Sequence, residues 1–487
     1  MAHAESADLG DSQLGHGIPP EEPLLAGVDL AEDAEARHGL IAARIDRIPL
    51  GVTQYVLASI MQIAWGLVVA LDLVFARIYP FIWGPNHDVS SFEFDVLLVF
   101  NTGVGILIGE YGLGIAADRI GRKPVLIISA LLAGGFVWEI AFSNSFAALM
   151  LWNTLYAFGV GGTLAVCNVY MHEIAPLSKR GQLALRTQLI AILLSAIAGS
   201  IPAYFWIPAQ YQQVLFLDAI LPVAILVPLL LFFVPESPRW LASHGSFKKA
   251  DAIVRKWEER AARRGALPAP EVTEAKVTPK VSWTELFRGE YGRRTTLLAV
   301  VWFLAYGGMV YAFASFSALY LVATDHFTAH QLFAATLVVG IAAAVVFLLV
   351  SYLGERVERK YLVISGCALF IIGGIPLALV HSFGGAFTLY LVMSIGLDLF
   401  FMNLYSYTAL SYPTRLRSAG TGWTDGFGHC GSTLSPLVAG PLFTATALSG
   451  NYGWFLYILI PGCLAPALLL WIFGKPQSGQ ALEVLAD

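Results

Sequence analysis

Twelve apolar stretches, each roughly 20–30 residues long, alternate along this chain with short connections, and the basic residues keep to one set of those connections. A stretch of that length suffices to cross a hydrocarbon core of about 30 Å as a helix. The odd-to-even connections (around 84–93, 144–146, 207–211, 325–331, 382–386 and 448–452) contain no lysine or arginine. The even-to-odd connections and the two ends hold 28 of the 29, with Arg77 in the first stretch the exception. Basic residues mark the cytoplasmic loops of membrane proteins. The pattern therefore predicts an all-α membrane protein of twelve transmembrane helices, with both termini in the cytoplasm and a multi-pass place in the cell membrane (a bacterial inner membrane). A chain that is 57% hydrophobic and 13% charged is no ordinary soluble domain.

Many of the 46 glycines fall inside the apolar stretches, among them Gly105, Gly109, Gly112 and Gly114 of the second. Small residues there let helix backbones approach closely, because lipid gives no hydrophobic drive for association. Cys167, Cys367, Cys430 and Cys463 also lie in apolar stretches and read as buried thiols rather than disulfides or metal ligands. Residues 1–50 read as a cytoplasmic tail without the pattern of a cleaved signal peptide. Within that tail, Ala36–Leu50 either lies along the membrane surface as a short amphipathic helix or forms a linker.

The chain repeats itself. A shift of 237 lays Asp118-Arg119-Ile120-Gly121-Arg122-Lys123 on Glu355-Arg356-Val357-Glu358-Arg359-Lys360, and Tyr170, Pro176 and Arg180 on Tyr407, Pro413 and Arg417. Between the copies, residues 235–293 form a long hydrophilic loop with thirteen lysines and arginines counting the flanking Arg294. The expected organisation is a six-helix bundle over 51–234, a cytoplasmic linker over 235–293, a second six-helix bundle over 294–474 and a cytoplasmic tail over 475–487. Repeated halves around a midplane site are the build of many secondary transporters.

Four segments carry a resemblance. Gly114-Ile-Ala-Ala-Asp118-Arg119-Ile120-Gly121-Arg122-Lys123 resembles the signature loop between the second and third spans of the major facilitator superfamily. Tyr170-Met-His-Glu173-Ile-Ala-Pro176-Leu-Ser-Lys-Arg180-Gly181 and Pro235-Glu236-Ser237-Pro238-Arg239-Trp240 are similar to that superfamily's sugar-porter and organic-solute branches. The run from Tyr412 to Gly422 is similar to the organic-solute branch. The resemblance implies the major facilitator fold and alternating access. It also implies a cytoplasmic gate built from Asp118, Arg119, Arg122, Glu173, Arg180, Glu236, Arg239, Glu355, Arg359 and Arg417, with Glu173 and Glu236 as the partners of the arginines. Glu358 in place of the turn glycine, and Leu410 in place of the second glutamate, make the gate stronger in the first half. Headgroup anchoring of loops is the plainer alternative.

Ionisable side chains inside a membrane are costly and mark function by default. Asp72, Arg77 and Glu110 are the expected proton-coupling residues. Asp72 matches an aspartate that proton-coupled relatives carry in the first span, and a permanent pair with Arg77 is the structural alternative. The arginine such relatives carry in the fourth span is replaced by Asn153. Asp425 and His429 share one helix face by their spacing of four, and a histidine there can bind an anion or respond to protons. Glu139, Asp218 and Asp398 also lie within spans, Asp218 and Glu139 nearer to water.

The resemblance places Trp65, Asn153, Tyr156, Gln188, Tyr306, Tyr311, Asn403 and Tyr405 on the cavity with Asp425 and His429. Gln188 matches a sugar-binding glutamine of sugar porters, but the glutamine pair of their seventh span is absent, and that stretch is aromatic here. Rings with few amides suit a flat or partly apolar solute. The expected function is secondary active transport, proton symport of a small organic metabolite, with an aromatic or other organic acid leading. The alternatives are a sugar porter, an exporter and a non-transporting solute sensor. No cofactor, metal or nucleic-acid partner is expected, only protons as coupling ion, a small-molecule substrate and the bilayer, in a monomer. No nucleotide loop, metal cluster or nucleophile–base motif suggests an enzyme.

Overall fold

Residues 34–78, 90–176, 179–207, 209–270, 283–324, 327–353, 356–380, 382–412 and 416–476 are described by the structure, a computed structural model. They are helical almost throughout. A short helix α1 (Ala34–Asp46) precedes α2 (Val52–Ile78), α3 (91–120), α4 (Arg122–Ala141), α5 (Phe146–Ile174), α6 (Arg180–Trp206) and α7 (Tyr211–Phe233). Two linker helices, α8 (Pro238–Ser243) and α9 (Phe247–Ala262), lead to α10 (Gly289–Ala323), α11 (Ala329–Leu353), α12 (Arg359–Leu377), α13 (Phe383–Leu410), α14 (Arg417–Leu448) and α15 (Gly453–Phe473). Among the described residues, eleven helices are long and apolar enough to cross a membrane. The remaining long helix is α14, which carries Asp425, His429 and two internal prolines, Pro436 and Pro441. Twelve spans result.

The offset of 237 recurs in the packing. Ser145 accepts the Ala148 N–H at the start of α5, and Ser382 accepts the Gly385 N–H at the start of α13. A methyl added to Gly159 would meet Ser129 O on α4 at 2.8 Å, and one added to Gly396 would meet Gly366 O on α12 at 2.7 Å. Lys123 Nζ donates to Leu231 O (2.8 Å) and Lys360 Nζ to Trp471 O (2.9 Å), each tying the start of a half's third helix to the end of its sixth. Tyr170 Oη donates to Pro235 O (2.9 Å) and Tyr407 Oη to Lys475 O (3.0 Å), in the same relation. A cationic head among the last carbonyls of a helix is favoured by the helix dipole.

Glycines bring α3 and α5 together. A side chain on Gly105, Gly109 or Gly161 would collide with the facing backbone, whereas one on Gly114 would meet nothing within 4 Å, so Gly114 has no packing role. The two halves meet along α3 and α14 and along α6 and α11. Against α14, α3 packs mainly through residues 91–106, and Gly103 there lies on Thr433. At the end of that seam Asp95 sits against Gly440, and on the second seam His330 bonds Tyr204 O (2.6 Å). The halves are thus most closely joined on the face opposite the basic connections.

Three sequence expectations are corrected. α1 is a helix docked on the linker helices rather than an unstructured connection: Glu258 of α9 receives Arg44 (2.7 Å) and Arg47 (2.5 Å), and all three side chains are buried. Cys430 is exposed, while Cys167, Cys367 and Cys463 are buried. Asp218 is buried rather than near water, and neither of its carboxylate oxygens has a hydrogen-bond partner among the described residues.

Candidate functional site

Three helices of the second half each contribute two residues four apart, hence on one face: Trp302 and Tyr306 from α10, Phe401 and Tyr405 from α13, Asp425 and His429 from α14. Their rings pack edge to face or tilted, with centroids 4.6 Å apart for Trp302 and Tyr405, 5.5 Å for Tyr306 and Phe401, and 5.1 Å for Phe401 and Tyr405. Such tilted pairs suit the ring quadrupoles. Tyr311 closes the group, 5.5 Å from Tyr306. Tyr306 lies in a π-helical segment of α10, Ala305–Val310. Such segments re-aim side chains and often occur at functional sites. Gly428 makes room: a side chain there would strike the Tyr306 ring.

Inside this cage three oxygens touch. Tyr306 Oη donates to Asp425 Oδ1 (2.8 Å), Tyr405 Oη lies 3.2 Å from the same oxygen, and the two hydroxyls are 2.9 Å apart. An ionised Asp425 leaves two hydroxyl protons for three contacts. A protonated Asp425 supplies the third. The His429 ring lies 4.8 Å from that of Tyr306, and its Nδ1 is buried with no hydrogen-bond partner among the described residues. Trp302 is fixed from behind by its Nε1, which donates to Thr408 Oγ1 (3.0 Å). Glu110 of α3, in the first half, lies within range of electrostatic interaction with Asp425.

The other expected cavity residues are placed differently. Asn153 is fully buried and accepts a bond from Asn101 Nδ2 (3.3 Å), and Asn101 itself lies in a π-helical segment of α3, Val99–Ile106. Tyr156 is buried with its hydroxyl on Val68 O (3.2 Å). Asn403 turns its amide onto Leu399 O of its own helix (2.7 Å) and is buried as well. Gln188 is half-buried on α6, as is Trp65 on α2. Arg77 stands in the last turn of α2, and Asp72 lies in the same helix with its side chain outside the described residues. Asn101, Trp302 and Phe401 were not expected at the site. The one sequence signal for Asn101 was an amide in an otherwise apolar stretch.

On the basic side, five of the residues expected at the gate, Asp118, Arg122, Glu173, Glu236 and Arg239, form one connected network. Arg122 pairs with Glu173 (2.8 Å) and Asp118 (2.8 Å), and also donates to Ala117 O (2.6 Å). Glu236 turns to backbone instead of an arginine side chain. Its carboxylate accepts the N–H groups of Arg122 (3.0 Å) and Lys123 (3.2 Å), capping α4 at its positive end. Gly121, at φ 108°, makes the turn that exposes those groups, and a side chain there would strike Glu236. Arg239 donates to Glu173 O (3.0 Å) and pairs with Asp46 of α1 (2.7 Å). Arg180 is half-buried among Arg239, Asp46 and Glu173, and Arg119 is exposed. Glu355 and the side chain of Arg417 lie outside the described residues; Arg359 opens α12.

Two six-helix halves, related by one sequence offset and joined along two seams, have the build of a major facilitator transporter, not an enzyme. Residues 90–476 match the family described as sugar (and other) transporter, and the chain belongs to that family. The niacin transporter NiaP of Acinetobacter baylyi is 26% identical over 470 residues, covering 91% of this chain and 99% of that protein. The inner membrane metabolite transport protein YdjE of Escherichia coli is 26% identical over 479 residues, covering 93% and 99%. The fold is similar to a partially occluded, inward-open structure of the Escherichia coli xylose transporter XylE. That likeness has a TM-score of 0.67 at 17% identity and covers 88% of this chain and 99% of that one.

Proposed function

We propose that the chain imports a small organic acid, aromatic acids foremost, by proton symport through alternating access. The observation that carries this reading is the cage of Trp302, Tyr306, Phe401 and Tyr405 beside the unpartnered Nδ1 of His429. Aromatic side chains offer faces and edges that suit a flat ring, and an imidazole N–H is a donor for a carboxylate. The relation to a niacin transporter supports the same class, niacin being an aromatic acid. Arg77 and His429 would meet the solute's charge and Asp72 would carry the proton, with Glu110 as a second proton-active group. The Tyr306–Tyr405–Asp425 triangle gives the second half its own place for one. The basic-side network around Arg122 and Glu173 would bias the balance between the two mouths. Both termini would be cytoplasmic in a bacterial inner membrane, and the protein would work as a monomer without a cofactor.

A sugar porter is the second reading, favoured by the likeness to a xylose transporter. One experiment separates them. The full chain is reconstituted into proteoliposomes with the interior alkaline, and uptake of labelled niacin, benzoate and xylose is followed. Accumulation of an aromatic acid above its equilibrium level, abolished by a protonophore, is the expected result. Accumulation of xylose alone, or equilibration that ignores the pH gradient, overturns the proposal.

A further inference from the structure

We propose that the recess where α9 ends over the start of α2 binds an anionic phospholipid, headgroup on the arginines and one acyl chain along α2. Two adjoining hollows of about 460 and about 560 Å³ share Leu50, Gly51, Val52 and Arg264. The first runs along an α2 face through Tyr55, Val56, Ser59 and Ile63. Val52 and Val56 on that face are 59% and 47% exposed, while Gln62 turns away to Met171 of α5. This stripe belongs to a helix long and apolar enough to span a membrane, and its exposed apolar side chains suit an acyl chain.

The second hollow is lined by Arg260, Arg263 and Arg264, and neither lining contains a carboxylate. Arg186 adds a fourth cation at the rim through its bond to the Tyr55 hydroxyl (2.6 Å). Of the nearby acids on α9, Glu258 is occupied by Arg44 and Arg47 and Asp251 by Arg44 and Arg255, while Glu259 is exposed. The first N–H groups of α2 open into the same hollow at the positive end of the helix. Gln54 lines it as well and is 2% exposed. Its Oε1 accepts the Gly51 N–H (3.2 Å), and its Nε2 has no hydrogen-bond partner among the described residues. A buried donor beside three arginines calls for an oxyanion, and basic pockets at span ends are where anionic headgroups bind. A free phosphate would use the arginine end and leave the apolar stripe bare. The lipid covers both.

The test is a thermal-shift titration of the purified full chain in detergent with phosphatidylglycerol, phosphatidylcholine or inorganic phosphate. Because it reads no transport, it stands apart from the outcome of the uptake experiment. Phosphatidylglycerol is expected to raise the unfolding midpoint saturably, and the other two to leave it unchanged. The triple variant Arg260→Gln, Arg263→Gln, Arg264→Gln should need on the order of a hundredfold more phosphatidylglycerol, at the usual contribution of a basic residue near an anionic membrane. Val56→Asp, which puts a carboxylate on the groove wall and leaves the arginines in place, should weaken binding on its own and serves if the triple variant does not fold. Unchanged titration in either folded variant, or an equal shift with inorganic phosphate, overturns the proposal.

Discussion

His429 and Asp425 sit one turn apart on α14, yet their surroundings give them different work. Asp425 is held by the hydroxyls of Tyr306 and Tyr405, whereas His429 Nδ1 has no hydrogen-bond partner among the described residues. Hydrogen bonds to charged groups contribute about 1.5–3 kcal/mol. His429→Ala should therefore weaken substrate binding roughly 10- to 150-fold while leaving the folded protein intact, as calorimetric titration would read. Asp72→Asn should abolish uphill, pH-driven uptake and preserve counterflow exchange. Retained accumulation would remove Asp72 from the coupling. Local spacing was enough to single out Asp425 and His429, because a four-residue interval fixes a shared helix face, and the family resemblance supplied Tyr306 and Tyr405. It could not place Trp302 and Phe401 around them, nor join Asn101 to Asn153. Those contacts depend on how distant helices rotate against one another, and no local pattern encodes that.

Between single residues and the whole lie the joints that hold helices at fixed separations. Gly396 lets α13 lie directly on α12, and no volume is free there. Gly396→Val should cost about 1–3 kcal/mol through overpacking, measured as a lower midpoint of unfolding in detergent. The α1 joint depends on charge. Two buried arginines share Glu258, and removing one partner of a buried ionic cluster costs about 3–5 kcal/mol. Glu258→Gln should release α1 from the linker, which limited proteolysis after Arg44 or Arg47 would detect. Span lengths and the linker were legible because each is local. The docking of α1 was not, since Ala36–Leu50 is amphipathic and its apolar side suits a membrane surface and a helical partner equally well.

At the scale of the molecule, the seam between halves and the network on the basic side oppose each other. The seam joins α3 to α14 mainly through residues 91–106, and the network ties α1, α3, α4, α5 and α8 into one cap on the first half. Neutralising Glu173 removes the Arg122 pair, so Glu173→Gln should shift the balance between the two mouths. Spin labels at Asn144 and Gly384, on the far face of the two halves, would report the shift as a changed distance distribution. An unaltered distribution would reduce the network to an anchor of loops. The basic-residue asymmetry made the spans legible and the 237-residue offset made the two halves legible. Which face is closed depends on a free-energy balance between whole bodies, and no motif carries that.

In the first half Gly66 of α2 lies against Ala191 and Leu194 of α6; in the second, Phe303 of α10 lies against Gly431 of α14. Adding 237 to Gly66 and Leu194 gives Phe303 and Gly431, so the same meeting point persists while the glycine has crossed to the other helix. What descended through the duplication at this joint is a clearance, not a letter. Residue-by-residue matching of the two copies scores the pair as divergence, and only comparing gaps between backbones reveals the inheritance.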